Sequence, residues 1–390
     1  MNIEVKKAKI LIYLVLLSYL KPANVTLIVG LDTIYKIMKV ASTILLLVTI
    51  SKYPIRISRT LFLGLMFLIV WEVSIILNTG SVVAYAQEIL SIIGVLLLCD
   101  LLKKFSGGVR LLLDALYNIS QSYIFLNFVT VLLDRPLFAR PEVCYIKYFL
   151  GSDNYSAFIL IVLCGFLFAS DLYRVNKIRL YSWIIAFMGL LSLIIPFAVT
   201  GMISYGLFLC FVALIDYPQL RKLFSIRNVV IISTAFLFAV VIFNIQDYLG
   251  GFLAVIGKVG LNSREIIWPF TVTAFMQRPW IGYGTLTQAQ IDSFILYGAN
   301  HAHNIILEFL LDTGIVGTMI ISYMGYNIIK NTMKIKKKHI CCFRICLAAY
   351  IVCSVFDFYI GLIYFWLLLA VMDFCKTAIE RNKKSFLNEE

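Results

Sequence analysis

Charged residues are scarce in this chain. Only 14% of its 390 residues are Asp, Glu, Lys or Arg, whereas 61% are hydrophobic. A soluble domain of this length could not hide so much apolar surface, and several apolar runs exceed the roughly 18 residues that indicate a membrane span. These runs also lack the alternation of apolar and polar residues that a membrane β-barrel requires. The composition therefore predicts an all-α polytopic membrane protein with a single membrane domain, residues 1–390.

Patterns typical of metal sites and disulfides are also missing. The nine cysteines form no CxxC pair and lie mostly within apolar runs, with Cys144 alone in a predicted outer loop. Cys342 and Cys346 have no histidine at zinc-finger distance. This distribution favours packing thiols over metal ligands or disulfides, so no metal and no cofactor is expected.

Hydropathy predicts about twelve spans. They cover residues 9–30, 33–51, 60–78, 82–102, 110–133, 155–173, 180–199, 201–217, 228–246, 303–329, 340–356 and 358–375. The first run is expected to be a retained helix, because no small-residue cleavage site of a signal peptide follows it.

Basic residues gather in alternate connections between these spans. With the amino terminus inside, 25 of the 34 Lys and Arg residues fall on the same side as the termini. The positive-inside rule then places both termini in the cytoplasm and the protein in the cytoplasmic membrane. The net charge of +13 is thus an orientation signal split into short clusters, and no nucleic-acid partner is expected.

Two connections on the outer side are long, residues 134–154 and residues 247–302 between spans 9 and 10. Long ordered loops usually carry function. Within the second loop, residues 264–277 are expected to form a helix at the outer surface, with Asn262 or Ser263 as its N-cap. The sequence "PWIGYG" that follows predicts a rigid turn.

Two of the three histidines stand one residue apart where the tenth span begins. They are His301 and His303. Asn304, Glu308 and Asp312 follow on one helical face, at i, i+4 and i+8. Since carboxylates are costly in lipid, this face should point into the bundle or into a wet cavity. The alternative is a polar stripe that only hydrogen-bonds neighbouring helices, with two glycines, Gly314 and Gly317, allowing close packing.

The same region resembles a known family. His303-Asn304, nine residues, Gly314, two residues and Gly317 resemble the H-N-x9-G-x-x-G pattern of the O-antigen ligase and O-antigen or capsular polysaccharide polymerase superfamily. Upstream, "SREIIW" (263–268) and "RPWIGYG" (278–284) resemble that family's arginine-containing loop and its Pro-x-x-Gly-x-Gly turn. The resemblance covers residues 263–317.

This resemblance implies a metal-independent glycosyltransferase that uses a polyprenyl-pyrophosphate-linked oligosaccharide as donor. The outer loops lack the Asp-x-Asp sequence of metal-dependent glycosyltransferases. The expected catalytic residues are His303, as activator of the acceptor hydroxyl, and Arg264, as a contact of the pyrophosphate. Histidine titrates near neutrality, and arginine binds phosphate oxygens with a planar fork.

Further residues are expected to bind the substrate or to support the site. The binding residues are Arg278, Arg140, His301, Asn304 and Lys258, and the supporting residues are Asp312, Glu308, Gly314 and Gly317. Arg140 with Gly151 matches an R-x10-G pattern of some polymerases. Relatives often carry an arginine after a mid-chain Thr-x-Ser, which "TGMISYG" (200–206) lacks, so Arg140, Lys147, Lys258 and Arg278 are the candidates to replace it.

The predicted function is a polymerase that joins lipid-linked repeat units into O-antigen or capsule on the outer face of the membrane. A ligase that transfers the chain to an envelope anchor is the first alternative, and a lipid-linked oligosaccharide flippase or transporter is the second. The expected partners are the polyprenyl-pyrophosphate-linked donor and acceptor, membrane lipid, and flippase and chain-length regulator proteins.

Overall fold

The computed structural model describes residues 3–387 except 54, 79–81, 106, 135–147, 218, 220–224, 244–262, 300, 359 and 360. Among these residues the secondary structure is helical. The first eight α-helices are α1 (Ile3–Tyr19), α2 (Val29–Lys52), α3 (Arg59–Leu77), α4 (Val82–Leu102), α5 (Gly108–Leu132), α6 (Asp153–Val175), α7 (Leu180–Ile194) and α8 (Val199–Ala213). They are followed by α9 (Ile226–Phe243), α10 (Arg264–Gln277), α11 (Gln288–Phe294), α12 (Ile305–Met333), α13 (Lys338–Ser354) and α14 (Ile363–Leu387).

Six of the described helices are long and apolar enough to cross a membrane. These are α2, α3, residues Tyr85–Leu102 of α4, α6, α9 and α12, and shorter apolar helices lie at Ala8–Tyr19, α7 and α8. The prediction of an all-α membrane protein is therefore confirmed. The count of twelve spans stays a prediction, because several predicted spans coincide with helices shorter than a full crossing.

The first predicted span, 9–30, is wrong at its carboxyl end. Helix α1 ends at Tyr19, a short 3-10 helix follows at Ala23–Leu27, and α2 begins at Val29. Pro22 explains the early end, because proline supplies no backbone N–H and pushes the preceding residue out of the helical region. Lys21 lies in this connection and pairs with Asp32 at 2.5 Å.

Helix α6 is the centre of the bundle. Residues 156–172 of this helix are all buried, and it packs against α5, α7, α8, α13 and α14. Its apolar side chains face other helices in every direction, which explains why its sequence shows no polar face. Cysteine thiols fill part of this core: all but Cys210 of the eight described cysteines are buried and none is in a disulfide, whereas Cys144 lies outside the described residues.

Helix α12 packs against α3, α10, α13 and α14. It begins at the end of the bundle where α13 finishes and α14 starts, so the connection 355–362 lies beside its first turn. This end is called the site end below. The amino-terminal parts of α2, α4 and α6 lie at this end too. Lys39 of α2 lies against Gln87 of α4. Glu88 of α4 lies beside Gly361 of the connection, and the charge of Glu88 acts on Tyr155 of α6.

Candidate functional site

Asn304 fixes the start of α12. Its side-chain oxygen accepts hydrogen bonds from the backbone N–H groups of Ile306 and Leu307, at 2.9 and 3.2 Å, as an N-cap residue does. Its side-chain amide donates to the carbonyl oxygen of Val355 at 2.9 Å. One buried side chain thus caps the helix and joins it to the 355–362 connection.

The two histidines meet one carboxylate in front of this cap. Nδ1 of His303 lies 3.2 Å from Oδ1 of Asp357, and Nε2 of His301 lies 3.1 Å from the same oxygen. The two imidazole centroids are 3.9 Å apart. Asp357 is almost fully buried, as is His301, whereas the side chain of His303 retains 20% of its exposure. His303 is therefore the histidine that a substrate can reach.

Backbone geometry fixes the hydrogen positions on the two rings. The N–H of His303 donates to Nδ1 of His301 at 3.1 Å, so the proton of a neutral His301 is on Nε2, facing Asp357. When Nδ1 of His303 donates to Asp357, its Nε2 carries a free lone pair. His303 adopts a φ of 53°, a left-handed conformation that non-glycine residues rarely take, and such conformations are common at functional sites.

The charges of this cluster follow from burial and pairing. Burial alone would raise the pKa of the Asp357 carboxyl, but its hydrogen bonds and charge interactions with His301 and His303 hold that pKa well below its usual value. Burial lowers the pKa of His301 below its usual value, although Asp357 opposes this effect. A neutral His301 beside an ionised Asp357 is the resulting state near neutral pH.

Arg264 lies next to this cluster at the first position of α10. Its Nε donates to the carbonyl oxygen of Phe356 at 2.5 Å, immediately before Asp357 in the chain, and its charge acts on His301. The side chain is 8% exposed. Residues 264–277 form a helix with the predicted bounds. Ser263 is the N-cap residue, one of the two predicted alternatives, but it has a φ of 65° and its side chain makes no cap hydrogen bond. Asn262, the other alternative, lies outside the described residues.

Two acids continue the site into α12. The Oε2 atom of Glu308 accepts the backbone N–H of Ala302 at 2.8 Å and lies 3.9 Å from Nδ1 of His301. Asp312, one turn further, is also buried, and its Oδ2 has no hydrogen-bond partner among the described residues. Glu308 thus holds the turn that carries the histidines, while the carboxyl group of Asp312 lies in the interior of the bundle.

Helix α12 is broken at Gly314, where φ is 60° and ψ is −164°. The turn at residues 279–284 inserts its backbone into the break and replaces the two missing helical hydrogen bonds. The carbonyl oxygens of Leu311 and Asp312 accept from the N–H groups of Tyr283 and Gly284, both at 2.8 Å. In return, two N–H groups past the break donate to this turn, Ile315 to Pro279 at 2.8 Å and Val316 to Trp280 at 3.1 Å.

Three of the four pattern glycines, Gly282, Gly284 and Gly314, make this joint possible. A Cβ atom on Gly314 would lie 2.4 Å from the backbone of Trp280, and one on Gly282 would lie 2.4 Å from the carbonyl oxygen of Leu311. Gly282 and Gly284 also have positive φ values, 69° and 68°. Gly317 has a different role, since the nearest atoms to its Cβ would belong to the side chain of Thr313, within the same helix.

The structure does not bring every predicted residue to the cluster. Arg278 is exposed at the far end of α10, about 20 Å along the helix axis from Arg264, with its guanidinium 5.1 Å from the ring centroid of Tyr283. The structure thus places Arg278 away from the histidine cluster, and its role in substrate binding stays a prediction. Arg140 and Lys258 lie outside the described residues, as does most of the 134–154 loop and the first part of the 247–302 loop.

His301, His303 and Asp357 could also hold a metal ion, since one donor atom from each lies within 4.8 Å of the others. One contact opposes this arrangement. A metal on Nε2 of His301 would leave the proton on Nδ1, but Nδ1 accepts the backbone N–H of His303. The observed hydrogen bonds therefore fit a proton-transfer cluster better than a metal centre.

Asp357 is the candidate site residue that the sequence did not indicate. It stands 54 residues after His303, in a short connection between two apolar helices, and no spacing relates it to the histidines. Its isolation in the sequence was the available signal. A single acid between two apolar helices needs a partner, and the histidine pair of the sequence is predicted on the same side of the membrane.

The fold and the site define a helical membrane protein with a buried carboxylate–histidine pair next to an arginine. Residues 148–322 match the family model described as O-antigen ligase, and this segment includes Arg264, both histidines and both glycine patterns. The match confirms the resemblance to the O-antigen ligase and polymerase superfamily, whose members are enzymes that act on lipid-linked sugars in polysaccharide biosynthesis. None of the curated proteins matches the chain.

Proposed function

We propose that this protein is a polymerase that joins polyprenyl-pyrophosphate-linked oligosaccharide repeat units into a surface polysaccharide. The observation that carries the proposal is the contact of His303 with Asp357, beside Arg264, at the start of a broken helix. The site lies on the outer face of the cytoplasmic membrane, with both termini in the cytoplasm. This orientation is supported by the distribution of lysine and arginine along the sequence.

The site residues have complementary tasks in such a transfer. Nε2 of His303 accepts the proton of the acceptor hydroxyl, and that oxygen forms a bond to the anomeric carbon of the donor. The bond between the anomeric carbon and the pyrophosphate oxygen breaks, and its electron pair leaves with the lipid pyrophosphate. Arg264 stabilises the charge that develops on this leaving group. The proton on His303 is then released to water.

Asp357 makes His303 an effective base. Its carboxylate holds the Nδ1–H tautomer, orients the ring and stabilises the imidazolium that forms during transfer. Nε2 of His301 contacts the same Asp357 oxygen, and Nδ1 of His301 accepts a hydrogen bond from the backbone N–H of His303. His301 therefore positions His303 rather than acting on the substrate itself. Arg140 and Lys258 stay candidates for contacts with the second lipid-linked pyrophosphate.

The alternative within the family is a ligase, which would transfer the chain to an envelope anchor with the same chemistry. A transporter or flippase is disfavoured by the family match and by the concentration of the histidines, Asp357 and Arg264 at one end of the bundle. Transporters bind their substrates near the bilayer midplane and often have two related halves. The proposed partners of the protein are the lipid-linked donor and acceptor, together with flippase and chain-length regulator proteins.

Deletion of the gene tests the proposal. Surface and lipid-linked saccharides are sized in the deletion strain and in strains complemented with the wild-type protein or with His303→Ala. A polymerase predicts single repeat units on lipid in the deletion and His303→Ala strains, and long chains in the wild-type complement. Long unattached chains in the deletion strain would indicate a ligase. Long chains with the normal attachment would contradict both activities.

A further inference from the structure

A second group of ionisable and phenolic side chains lies at the site end, apart from the histidines. Lys39 of α2 and Glu88 of α4 belong to apolar helices that are long enough to span a membrane. Ionisable side chains within spans are costly, so they usually mark a ligand path or pair with one another. Within the part of the chain that the structure describes, these two residues do not form an ion pair with each other.

Three side chains of this region, Lys39, Glu88 and Gln87, have polar atoms without a strong partner among the described residues. Nζ of Lys39 is close to one acceptor among the described residues, the carbonyl oxygen of Gln87, at the long distance of 3.5 Å. Oε2 of Glu88 and Oε1 of Gln87 have no hydrogen-bond partner among those residues. An ammonium group and buried acceptor oxygens that remain unsatisfied favour a ligand that both donates and accepts hydrogen bonds.

Tyrosines lie one helical turn from the lysine and from the carboxylate. Tyr35 lies one turn before Lys39 on α2, and Tyr85 lies one turn before Glu88 on α4. Tyr155, in the first turn of α6, is partly exposed although residues 156–172 that follow it are all buried. Tyr155 therefore lies where the fully enclosed part of α6 begins, and the charge of Glu88 acts on it.

This group of side chains lies near the candidate catalytic cluster. The charge of Glu88 acts on both Tyr85 and Tyr155, and Tyr85 is within electrostatic reach of Asp312. A Cβ atom on Gly361 would lie 3.1 Å from Cγ of Glu88. Gly361 follows Asp357 by four residues, so the aliphatic part of the Glu88 side chain lies beside the connection that carries the partner of His303.

We propose that Tyr35, Lys39, Tyr85, Glu88 and Tyr155 form a saccharide-binding subsite that holds a sugar of a lipid-linked repeat unit next to His303. One ammonium, one carboxylate and three phenols offer donors and acceptors with no net charge, which matches a neutral, hydroxyl-rich ligand. The aromatic rings provide apolar faces with polar edges. Glu88 would repel a phosphate, so the lipid pyrophosphate is not the occupant of this subsite.

The proposal rests on the proposed function for the identity of its substrate, and kinetics of the purified full-length protein test it. The substrate is the lipid-linked saccharide extracted from the gene-deletion strain. Glu88→Gln and Lys39→Met should raise KM by about 10- to 100-fold, the effect of losing one charged hydrogen bond, and leave kcat within about two-fold. The matched control is Lys36→Met, which removes an exposed lysine on the same helix and should not change KM.

A second probe separates the sugar from the lipid phosphate and from catalysis. Free oligosaccharide, released from the lipid by mild acid, should raise the unfolding temperature of His303→Ala protein, and this shift should shrink in the Glu88→Gln background. The proposal is overturned if KM is unchanged in both variants, or if inorganic pyrophosphate produces the Lys39-dependent shift instead. If His303→Ala retains normal polymerisation, the proposed function fails, while the oligosaccharide shift still reports on the subsite.

Discussion

Gly284 donates its backbone N–H to the carbonyl oxygen of Asp312 at 2.8 Å, across the break in α12. This bond, and its counterpart from Tyr283 to Leu311, lets an extramembrane turn substitute for a missing stretch of helix. Backbone polar groups within a membrane must be satisfied by protein, so the turn allows the helix to break without unpaired amides. The first half of α12, which carries Asn304 and follows the histidines, is thereby locked to the turn.

Gly314→Ala should destabilise this joint. Alanine at a φ of 60° and a ψ of −164° costs about 1–3 kcal/mol in backbone strain, and its Cβ would also meet the backbone of Trp280. A lower unfolding temperature of the purified protein and shorter polymer are expected. Gly325→Ala is the matched control on the same helix, because its Cβ meets nothing within 4 Å. Equal stability of the two variants would contradict the proposed role of the break.

Asp357→Asn should lower the rate of polymerisation by about 10²- to 10⁴-fold. The amide cannot stabilise an imidazolium, and it no longer selects the tautomer of His303. Expression and membrane insertion should persist, because the side chain keeps its shape. Polymer length is compared at equal membrane levels with Asp216→Asn, which breaks a partly exposed ion pair to Lys338 and should have no effect. Normal chains from Asp357→Asn would remove the carboxylate from the mechanism.

The two histidines should respond differently to alanine. His303→Ala removes the exposed base and should abolish visible polymer, a loss of about 10²- to 10⁴-fold in rate. His301→Ala removes a buried ring that positions the base, so residual polymer should remain. The measurement is the length distribution of polymer at matched protein levels. Long chains from His303→Ala, together with none from His301→Ala, would assign the base to His301.

Arg264 should tolerate neither alanine nor lysine. Lysine keeps the charge but cannot both donate to Phe356 and present a planar fork to a phosphate, so a loss of about 10²- to 10³-fold is expected for either change. Arg278→Ala is the matched control, since Arg278 is exposed at the other end of α10. A severe loss of activity in Arg278→Ala, together with near-normal activity in Arg264→Ala, would assign the pyrophosphate contact to Arg278.

Removal of divalent metal should leave activity unchanged. His301 uses Nδ1 to accept a backbone N–H, which does not fit metal coordination through its Nε2. Purified protein is treated with EDTA, its metal content is measured, and transfer to the lipid-linked acceptor is followed. The opposite outcome is a stoichiometric metal whose removal abolishes activity and whose replacement by Zn²⁺ restores it. That result would show that the cluster is a metal centre.

The sequence by itself determined the all-α membrane class, the bounds of the helix at 264–277 and the turn at 279–284. These features depend on local signals: long apolar runs, helix boundaries and glycines that permit positive φ. The sequence also located the histidine pair and Arg264, because their spacing resembles a family pattern. Local signals act over a few residues, so they could be read without the fold.

Only the tertiary structure decided which of these residues meet. Asp357 reaches His303 because Asn304 joins the start of α12 to the end of α13, a contact between residues more than 50 positions apart. The same packing leaves Arg278 at the far end of α10 and brings Lys39 near the connection of Asp357 through Glu88. Contacts of this kind arise from helix packing and from backbone hydrogen bonds across the break. Neither produces a periodic pattern of residues from which the contact could be predicted.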